Sequence, residues 1–555
     1  MSVAEARPLE PVFDENGWFQ DDDEPAPRVA DVCLLVEGTY PFVSGGVSSW
    51  VHDIIRGMPE RTFDVLNIGS HAGAFTKPRY ELPSNVLTLR CLFCRDEELP
   101  LVGHAERTEL DQHIRSHRRG ASQPSSSRVL NAIRRLHLDD RIDDALVADL
   151  AAGDLGVPTF LHGGASFDLL LEIGQHLAPV TSFLDLFWQF RAMHVPLLRL
   201  LSAPTPAARC YHAVSTGYAG LLGAVWGLRT GRPFAVTEHG IYTREREMEL
   251  ARATWIRDDE GAPDRLSAFA PTPSALRQLW ARFFRKLATV AYHRASHIIT
   301  LSEANRRKQI NDGAPAAKIQ IVPNGVALAA TGPAPPPGPE PAHGPAPHGS
   351  ATPSETAAAA APLRVGFVGR VVPIKDVITF IKACDLALRE MPLDVRIIGP
   401  FDEEPTYAAR CRALIKMLGR EDSIRFLGPM PPALIYQQID VIVLTSYSEG
   451  QPLVILEAYA AGIPVVATDV GACREMIEGM PGPDQALGPS GLVTRVATPR
   501  DTAAALLRLA SDTLLRRRLG RAGRARVTAH YQRHDMLESY RALYRTLVEA
   551  KPWQE

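Results

Sequence analysis

The chain has 555 residues, a length that accommodates about two to four domains. Apolar residues make up 45% and charged residues 22%, the balance of a globular protein and not of a disordered or fibrous one. The net charge of −3 and the pI near 6.6 leave no global basic field to attract nucleic acid or acidic lipid.

In chain order, residues 1–28 carry Asp21-Asp22-Asp23-Glu24-Pro25 and read as a disordered acidic tail. The Asp21/Asp23 pair precedes the first strand and is discounted as a metal site. No basic region followed by an apolar run opens the chain, so no secretory signal is expected. No stretch reaches the roughly 18–20 apolar residues of a membrane span, so no direct membrane insertion and a cytoplasmic location are expected. Val29–Val36 is a short apolar strand. It runs into Gly45-Gly46 and an amphipathic helix to about Gly57, and paired glycines there let backbone approach a ligand. Further strands are expected at Phe63–Ile68 and Val86–Leu89. Cys91-Leu92-Phe93-Cys94 is a lone C-x-x-C. With the other five cysteines dispersed, it reads as core thiols in a reducing compartment rather than a zinc or disulfide site.

Residues about 100–200 are mostly helical in pattern and long for a strand–helix repeat, so a helical insertion is expected there. Strands follow at Tyr211–Val214, Pro233–Thr237, His297–Ser302 and Ile319–Val322. Residues 329–362, with Pro333-Ala334-Pro335-Pro336-Pro337, lack a packable apolar face and read as a disordered insertion. A second strand–helix series starts at Leu363 and includes strands at Asp394–Ile398, Ile424–Leu427, Val441–Leu444, Pro464–Thr468 and Gly491–Val493. One long helix is expected from about Leu514 to Glu549. The alternation predicts α/β architecture with two doubly wound domains, 29–328 and 363–530, and a C-terminal segment, 531–555, expected to cross back to the first.

The chemistry concentrates in two turns. Gly369-Arg370 follows the first strand of the second series, and Lys375 lies five residues on. Arg370 can fork onto phosphate oxygens and Lys375 can add a point charge. Ser446–Ala458 follows another strand and opens a helix, an anion-binding corner in which the N–H groups of Gly450, Gln451, Leu453 and Val454 can donate; Pro452 has none. Glu449 and Glu457 would be repelled by phosphate. Their expected work is to accept hydrogen bonds from sugar or ribose hydroxyls.

With the Pro323-Asn324-Gly325-Val326 junction and the Gly45-Gly46 loop, these segments make the chain resemble GT-B retaining glycosyltransferases of family 4 over about residues 29–550. Glu37–His52 and Thr237–Arg246 add a narrower resemblance to the PelF branch, the cytosolic glycosyltransferases of bacterial Pel exopolysaccharide synthesis. The resemblance implies two Rossmann-like domains facing a central cleft, a UDP-sugar donor, a polysaccharide acceptor, inner-membrane Pel synthase partners, and no metal or other cofactor. It implies that Arg370 and Lys375 bind the donor diphosphate with Gly369. Glu449 would meet the transferred sugar, and Glu457 the ribose. Gly45 and Gly46 would approach the diphosphate. His239 would stand near donor sugar and acceptor, with Glu238 orienting it. Two other readings stay open: an enzyme acting on a small acceptor, and a non-catalytic sugar-nucleotide-binding module.

Overall fold

The computed structural model describes residues 29–71, 73, 77–94, 127–177, 182–256, 274–328 and 362–550. The acidic tail expected at 1–28, all but Pro362 of the insertion expected at 329–362 and the part of the helical region at 100–126 lie outside the described residues. Two compact units divide the chain: Met1–Val322 with Leu537–Glu555, and Pro323–Met536.

The first unit is built on seven parallel strands: β1 (Ala30–Glu37), β2 (Phe63–Gly69), β3 (Val86–Phe93), β4 (Ala208–Ala213), β5 (Phe234–Glu238), β6 (His297–Thr300) and β7 (Ile319–Ile321). Their order is β3-β2-β1-β4-β5-β6-β7. Helices cover both faces, so central strands such as β2 are buried along their whole length. The helix Gly46–Gly57 places Trp50, Val51, Ile54 and Ile55 on its buried face. Strand β3 runs four residues past the expected Leu89, taking Cys91 into the sheet, and Cys94 follows it. All seven cysteines are free and buried.

Among the described residues between β3 and β4 stand five helices, Arg128–Leu138, Asp144–Ala151, Val157–His162, Gly164–His176 and Phe183–Ser202. They enclose a histidine pair, His194 fully buried and His137 half-buried. His194 Nδ1 lies 2.7 Å from the Phe190 carbonyl and so donates there. Its Nε2 therefore accepts from His137 Nε2, 2.9 Å away. Burial, aided by the Arg282 charge, pushes His137 down to about 4, and burial beside His137 holds His194 well below the ordinary range. An unfolded histidine titrates near 6.5. Between that value and about 4 the unfolded chain binds more protons than the folded one, so stability rises with pH through this window and falls on acidification. His137 alone accounts for a change on the order of 2–3 kcal/mol. The melting temperature is expected to drop between pH 6.5 and 4.5, less steeply in a His137→Phe/His194→Phe variant. Equal slopes for the two proteins would refute this account.

The second unit is built on six parallel strands: β8 (Leu363–Val368), β9 (Leu393–Ile398), β10 (Ile424–Gly428), β11 (Val441–Leu444), β12 (Val465–Thr468) and β13 (Gly491–Thr494), in the order β10-β9-β8-β11-β12-β13. The pleat sorts side chains to two cores. Val441 and Val443 pack with Phe380 and Leu506, while Ile442 and Leu444 pack with Ile455 and Tyr459.

The C-terminal helix expected as one piece is two, Thr513–His530 and Arg533–Glu549. The break has a tertiary cause. Val326 N–H donates to the Tyr531 carbonyl at 3.0 Å and Arg533 N–H to the Val326 carbonyl at 3.2 Å, a strand-like ladder that replaces helical bonds. Within the first unit, Tyr540 and Tyr544 of the last helix pack on the sheet, meeting Thr237 and His212 at 3.0 and 2.7 Å. Among the described residues no helix is long and apolar enough to cross a membrane.

Candidate functional site

In the second unit the strand order reverses between β8 and β11, the point at which open parallel sheets bind ligands beyond their carboxyl ends. The two turns singled out by sequence follow these two strands. They are sewn together: Thr445 Oγ1 donates to the carbonyls of Lys375 (3.2 Å) and Asp376 (2.8 Å), and Tyr447 N–H to that of Ile374 (2.9 Å). Lys375 Nζ donates to Glu449 Oε1 at 2.6 Å, and Ser446 Oγ donates to the same oxygen at 2.6 Å. The two side chains are 25% and 8% exposed, so the pair is sheltered but reachable from the lysine side.

Local conformation sets this display. Gly369 and Gly399 have φ of 150° and 141°, and a Cβ on Gly399 would stand 2.1 Å from the Gly369 carbonyl oxygen, so the turns after β8 and β9 can meet only as glycines. Arg370 reaches across to Glu403, Nη1 to Oε2 2.7 Å. Asp376, just after Lys375, is left-handed at φ 46° and caps the next helix through Thr379 N–H at 3.2 Å. Such a conformation in a non-glycine residue costs about 1–3 kcal/mol and is held only by its surroundings.

The helix Leu453–Ala460 starts at Pro452, which supplies no side-chain cap. The first-turn N–H groups of Leu453 and Val454 have no intrahelical acceptor, the ordinary condition of an anion-binding helix end. The turn before it is clamped from β12: Ala472 N–H donates to the Gly450 carbonyl at 2.8 Å, and a Cβ on Gly471 would lie 2.0 Å from the Glu449 carbonyl oxygen. The Gln451 side chain is committed to the chain, Oε1 accepting from Asn324 N–H at 2.6 Å. Glu457 has a different environment from Glu449. It accepts from the Tyr436 hydroxyl, and burial raises its pKa above the usual carboxylate value against the pull of that bond and of Arg533.

The remaining expected residues belong to the first unit. Gly45 precedes the helix that Gly46 opens; its backbone is extended, and a Cβ there would meet nothing within 4 Å. His239 follows β5, with its ring edge-on to Trp50 at 4.6 Å. Its buried Nε2 has no hydrogen-bond partner among the described residues, and burial lowers its pKa to about 4, so at neutral pH it is an uncharged base. Glu238 departs from expectation. It does not orient His239 and is not placed to meet a substrate. Oε1 accepts from Thr216 Oγ1 (3.0 Å) and Tyr242 N–H (2.9 Å), and Oε2 from the Tyr292 hydroxyl (2.6 Å) and Gln309 Nε2 (2.8 Å). Four donors inside the core make it a buried anchor of the loop that carries His239.

Sequence reasoning passed over three participants. Glu403 follows the Gly399-Pro400 turn, and Gly471 follows β12 in Thr468-Asp469-Val470-Gly471; a glycine turn after a strand was signal enough for both. Tyr436, the partner of Glu457, sits in the short helical stretch before β11 and carries no such signal.

A family model described as a domain of unknown function, DUF3492, matches residues 30–317, more than half of the chain. The chain belongs to the DUF3492 family. A second model, glycosyl transferases group 1, matches residues 362–512, so this DUF3492 protein carries a glycosyltransferase domain on its second sheet. Among curated relatives, the D-inositol 3-phosphate glycosyltransferase of Kineococcus radiotolerans is 34% identical over 238 residues, 41% of this chain and 52% of that protein. Its counterpart in Corynebacterium glutamicum is 36% identical over 166 residues, 28% of this chain and 37% of that protein. The chain thus spans about half the length, or less, of the curated relatives it matches. Among solved structures, Anabaena HepE in complex with UDP and glucose aligns with a TM-score of 0.52 at 15% identity, over 93% of this chain and all of that one. Sucrose-phosphate synthase from Thermosynechococcus elongatus aligns with a TM-score of 0.54 at 16% identity, over 94% and 99%. The DUF3492 protein therefore has the GT-B fold, two parallel-sheet Rossmann-like domains.

Proposed function

We propose that this protein is a retaining glycosyltransferase that moves a hexose or N-acetylhexosamine from a UDP-sugar onto a growing exopolysaccharide of the Pel type, without a metal ion. The observation that carries the reading is the Lys375–Glu449 pair beside the uncapped helix end at Leu453: a cation and N–H donors for a diphosphate next to a carboxylate for sugar hydroxyls. Arg370 joins Lys375 on the diphosphate, and its Glu403 partner holds it across the loop until donor arrives. Gly369 and the N–H groups of Gly450, Gln451, Leu453 and Val454 line the same corner. Glu457 reads the ribose. The departing diphosphate oxygen takes the acceptor proton, so attack occurs on the face it leaves and configuration is retained. His239, uncharged, and the Gly45-Gly46 loop serve donor and acceptor from the first unit. The protein works in the cytoplasm, recruited to the inner membrane by its synthase partners.

A thermal-shift series with UDP, GDP and ADP tests the donor. At about 100 times its dissociation constant UDP is expected to add roughly 2.7 kcal/mol, and the other two less. EDTA is expected to leave transfer unchanged. No stabilisation by any nucleotide would defeat the reading, and loss of transfer in EDTA would defeat its metal-free form. The named relatives favour a second reading, a transferase for a small phosphorylated acceptor.

A further inference from the structure

The first sheet also reverses its strand order, between β1 and β4. A cavity of about 670 Å³ opens there, against Glu37 and Gly38 at the end of β1 and Gly69 and Ser70 at the end of β2. That volume is within the range of about 300–1,000 Å³ found for small-molecule sites. Helices 183–202, 218–230, 242–252 and 275–294 wall the other side. Trp255 presents a ring that is 51% exposed, edge-on to the buried Trp280 at 5.4 Å. Arg246 lies over the Tyr242 ring at 5.0 Å and pairs with Glu249 at 2.8 Å. Its Nε is buried and has no hydrogen-bond partner among the described residues, a donor awaiting an oxygen. Glu37 is fixed at the crevice by the Ser215 hydroxyl at 3.1 Å and the Tyr242 hydroxyl at 3.2 Å.

The charge balance selects the ligand. Burial works against the Arg246 cation, yet Tyr242 and the carboxylates of Glu249, Glu37 and Glu245 hold its pKa above the ordinary value. Within the lining, one cation, Arg246, stands against two carboxylates, Glu37 and Glu249, which leaves the site negative. A phosphate would be repelled, whereas hydroxyl groups would find acceptors. An exposed indole face beside carboxylates suits the C–H face and the hydroxyl rim of a sugar ring.

We infer that this cavity binds a neutral oligosaccharide, with a ring stacked on Trp255, hydroxyls donating to Glu37 and Glu249, and an oxygen accepting from Arg246 Nε. The inference rests on the reading as a glycosyltransferase and narrows the acceptor: a neutral glycan, not a phosphorylated polyol.

Calorimetric titration of the full chain, with no donor present, tests it with chitotriose, maltotriose and D-inositol 3-phosphate. At least one trisaccharide is expected to bind saturably, and inositol phosphate is not. Trp255→Ala and Glu249→Gln are each expected to weaken that binding at least about tenfold, the equivalent of one lost contact. The stabilisation by UDP should be unchanged in both variants, and a urea midpoint near the parent's, followed by indole fluorescence, shows that the first unit folds. Binding of inositol phosphate in preference to the trisaccharides, or binding of none of the three, would overturn the inference. Trisaccharide binding without any UDP stabilisation would support the cavity and sink the donor reading alone.

Discussion

Replacing Lys375 by alanine is expected to cut transfer from a UDP-sugar by about 10²–10³-fold, the loss typical of removing one preorganised charge-stabilising donor. The argument starts from geometry. Lys375 is carried on a turn fixed by Thr445 and by the left-handed Asp376, so its ammonium needs little reorganisation to meet a diphosphate. In the structure that ammonium is 2.6 Å from Glu449, whose side chain is only 8% exposed. Removing it leaves Glu449 leaning on the Ser446 hydroxyl, and an undersatisfied buried carboxylate costs roughly 1–3 kcal/mol. Stability and turnover therefore fall together in the single variant, and a second substitution is needed to separate them. Glu449→Gln in the Lys375→Ala background removes the stranded charge. The double variant is expected to regain most of the lost stability in a urea titration and none of the transfer. Recovery of transfer would mean that Lys375 acts only by seating Glu449, and wild-type turnover in the single variant would remove Lys375 from the chemistry altogether.

The strand–helix alternation was legible because its signals are local. Val441-Ile442-Val443-Leu444 is apolar at every position because both faces of β11 are covered, and a run of that kind bounded by turns reads as a parallel strand. The phosphate corner was legible for the same reason: glycine turns following strands are short-range patterns. What could not be read depends on contacts between residues far apart in the chain. Glu238 beside His239 looks like an acid orienting a base, and only Tyr292 and Gln309, arriving from distant helices, turn it into a core anchor. The break at Tyr531-Gln532 contains neither proline nor glycine, so the helical pattern runs through it; Val326 imposes it from two hundred residues away. The first-unit cavity is of this kind too. Its walls come from β1, β2 and four helices scattered from residue 183 to residue 294.

The largest stability effect is expected at Arg526, which is fully buried in the helix Thr513–His530. Its guanidinium has every donor used. Nε meets Asp484 Oδ1 at 2.6 Å, Nη1 meets the Ile477 carbonyl (3.1 Å) and Ser490 Oγ (2.9 Å), and Nη2 meets the carbonyls of Asp484 (3.0 Å) and Gly488 (2.9 Å). One side chain thus ties the loop between the helix Cys473–Glu478 and β13 to the body of the second unit. Arg526→Met would keep much of the volume but strand Asp484 Oδ1 and the Gly488 carbonyl, while the Ile477 and Asp484 carbonyls keep the N–H groups of Ser490 and Leu487. Breaking a buried pair of this kind costs about 3–5 kcal/mol. Arg526→Lys would keep the charge yet lack the planar fork, so an intermediate loss is expected. The chain offers a way to place the damage. All seven tryptophans, Trp18, Trp50, Trp188, Trp226, Trp255, Trp280 and Trp553, lie outside Pro323–Met536, so indole fluorescence reports the first unit while circular dichroism reports both. Arg526→Met is expected to lower the urea midpoint followed by circular dichroism more than that followed by fluorescence. Because the turn after β12 packs against Glu449 and Gly450, UDP binding should weaken with it; an unchanged dichroism midpoint would show that the loop holds without its arginine.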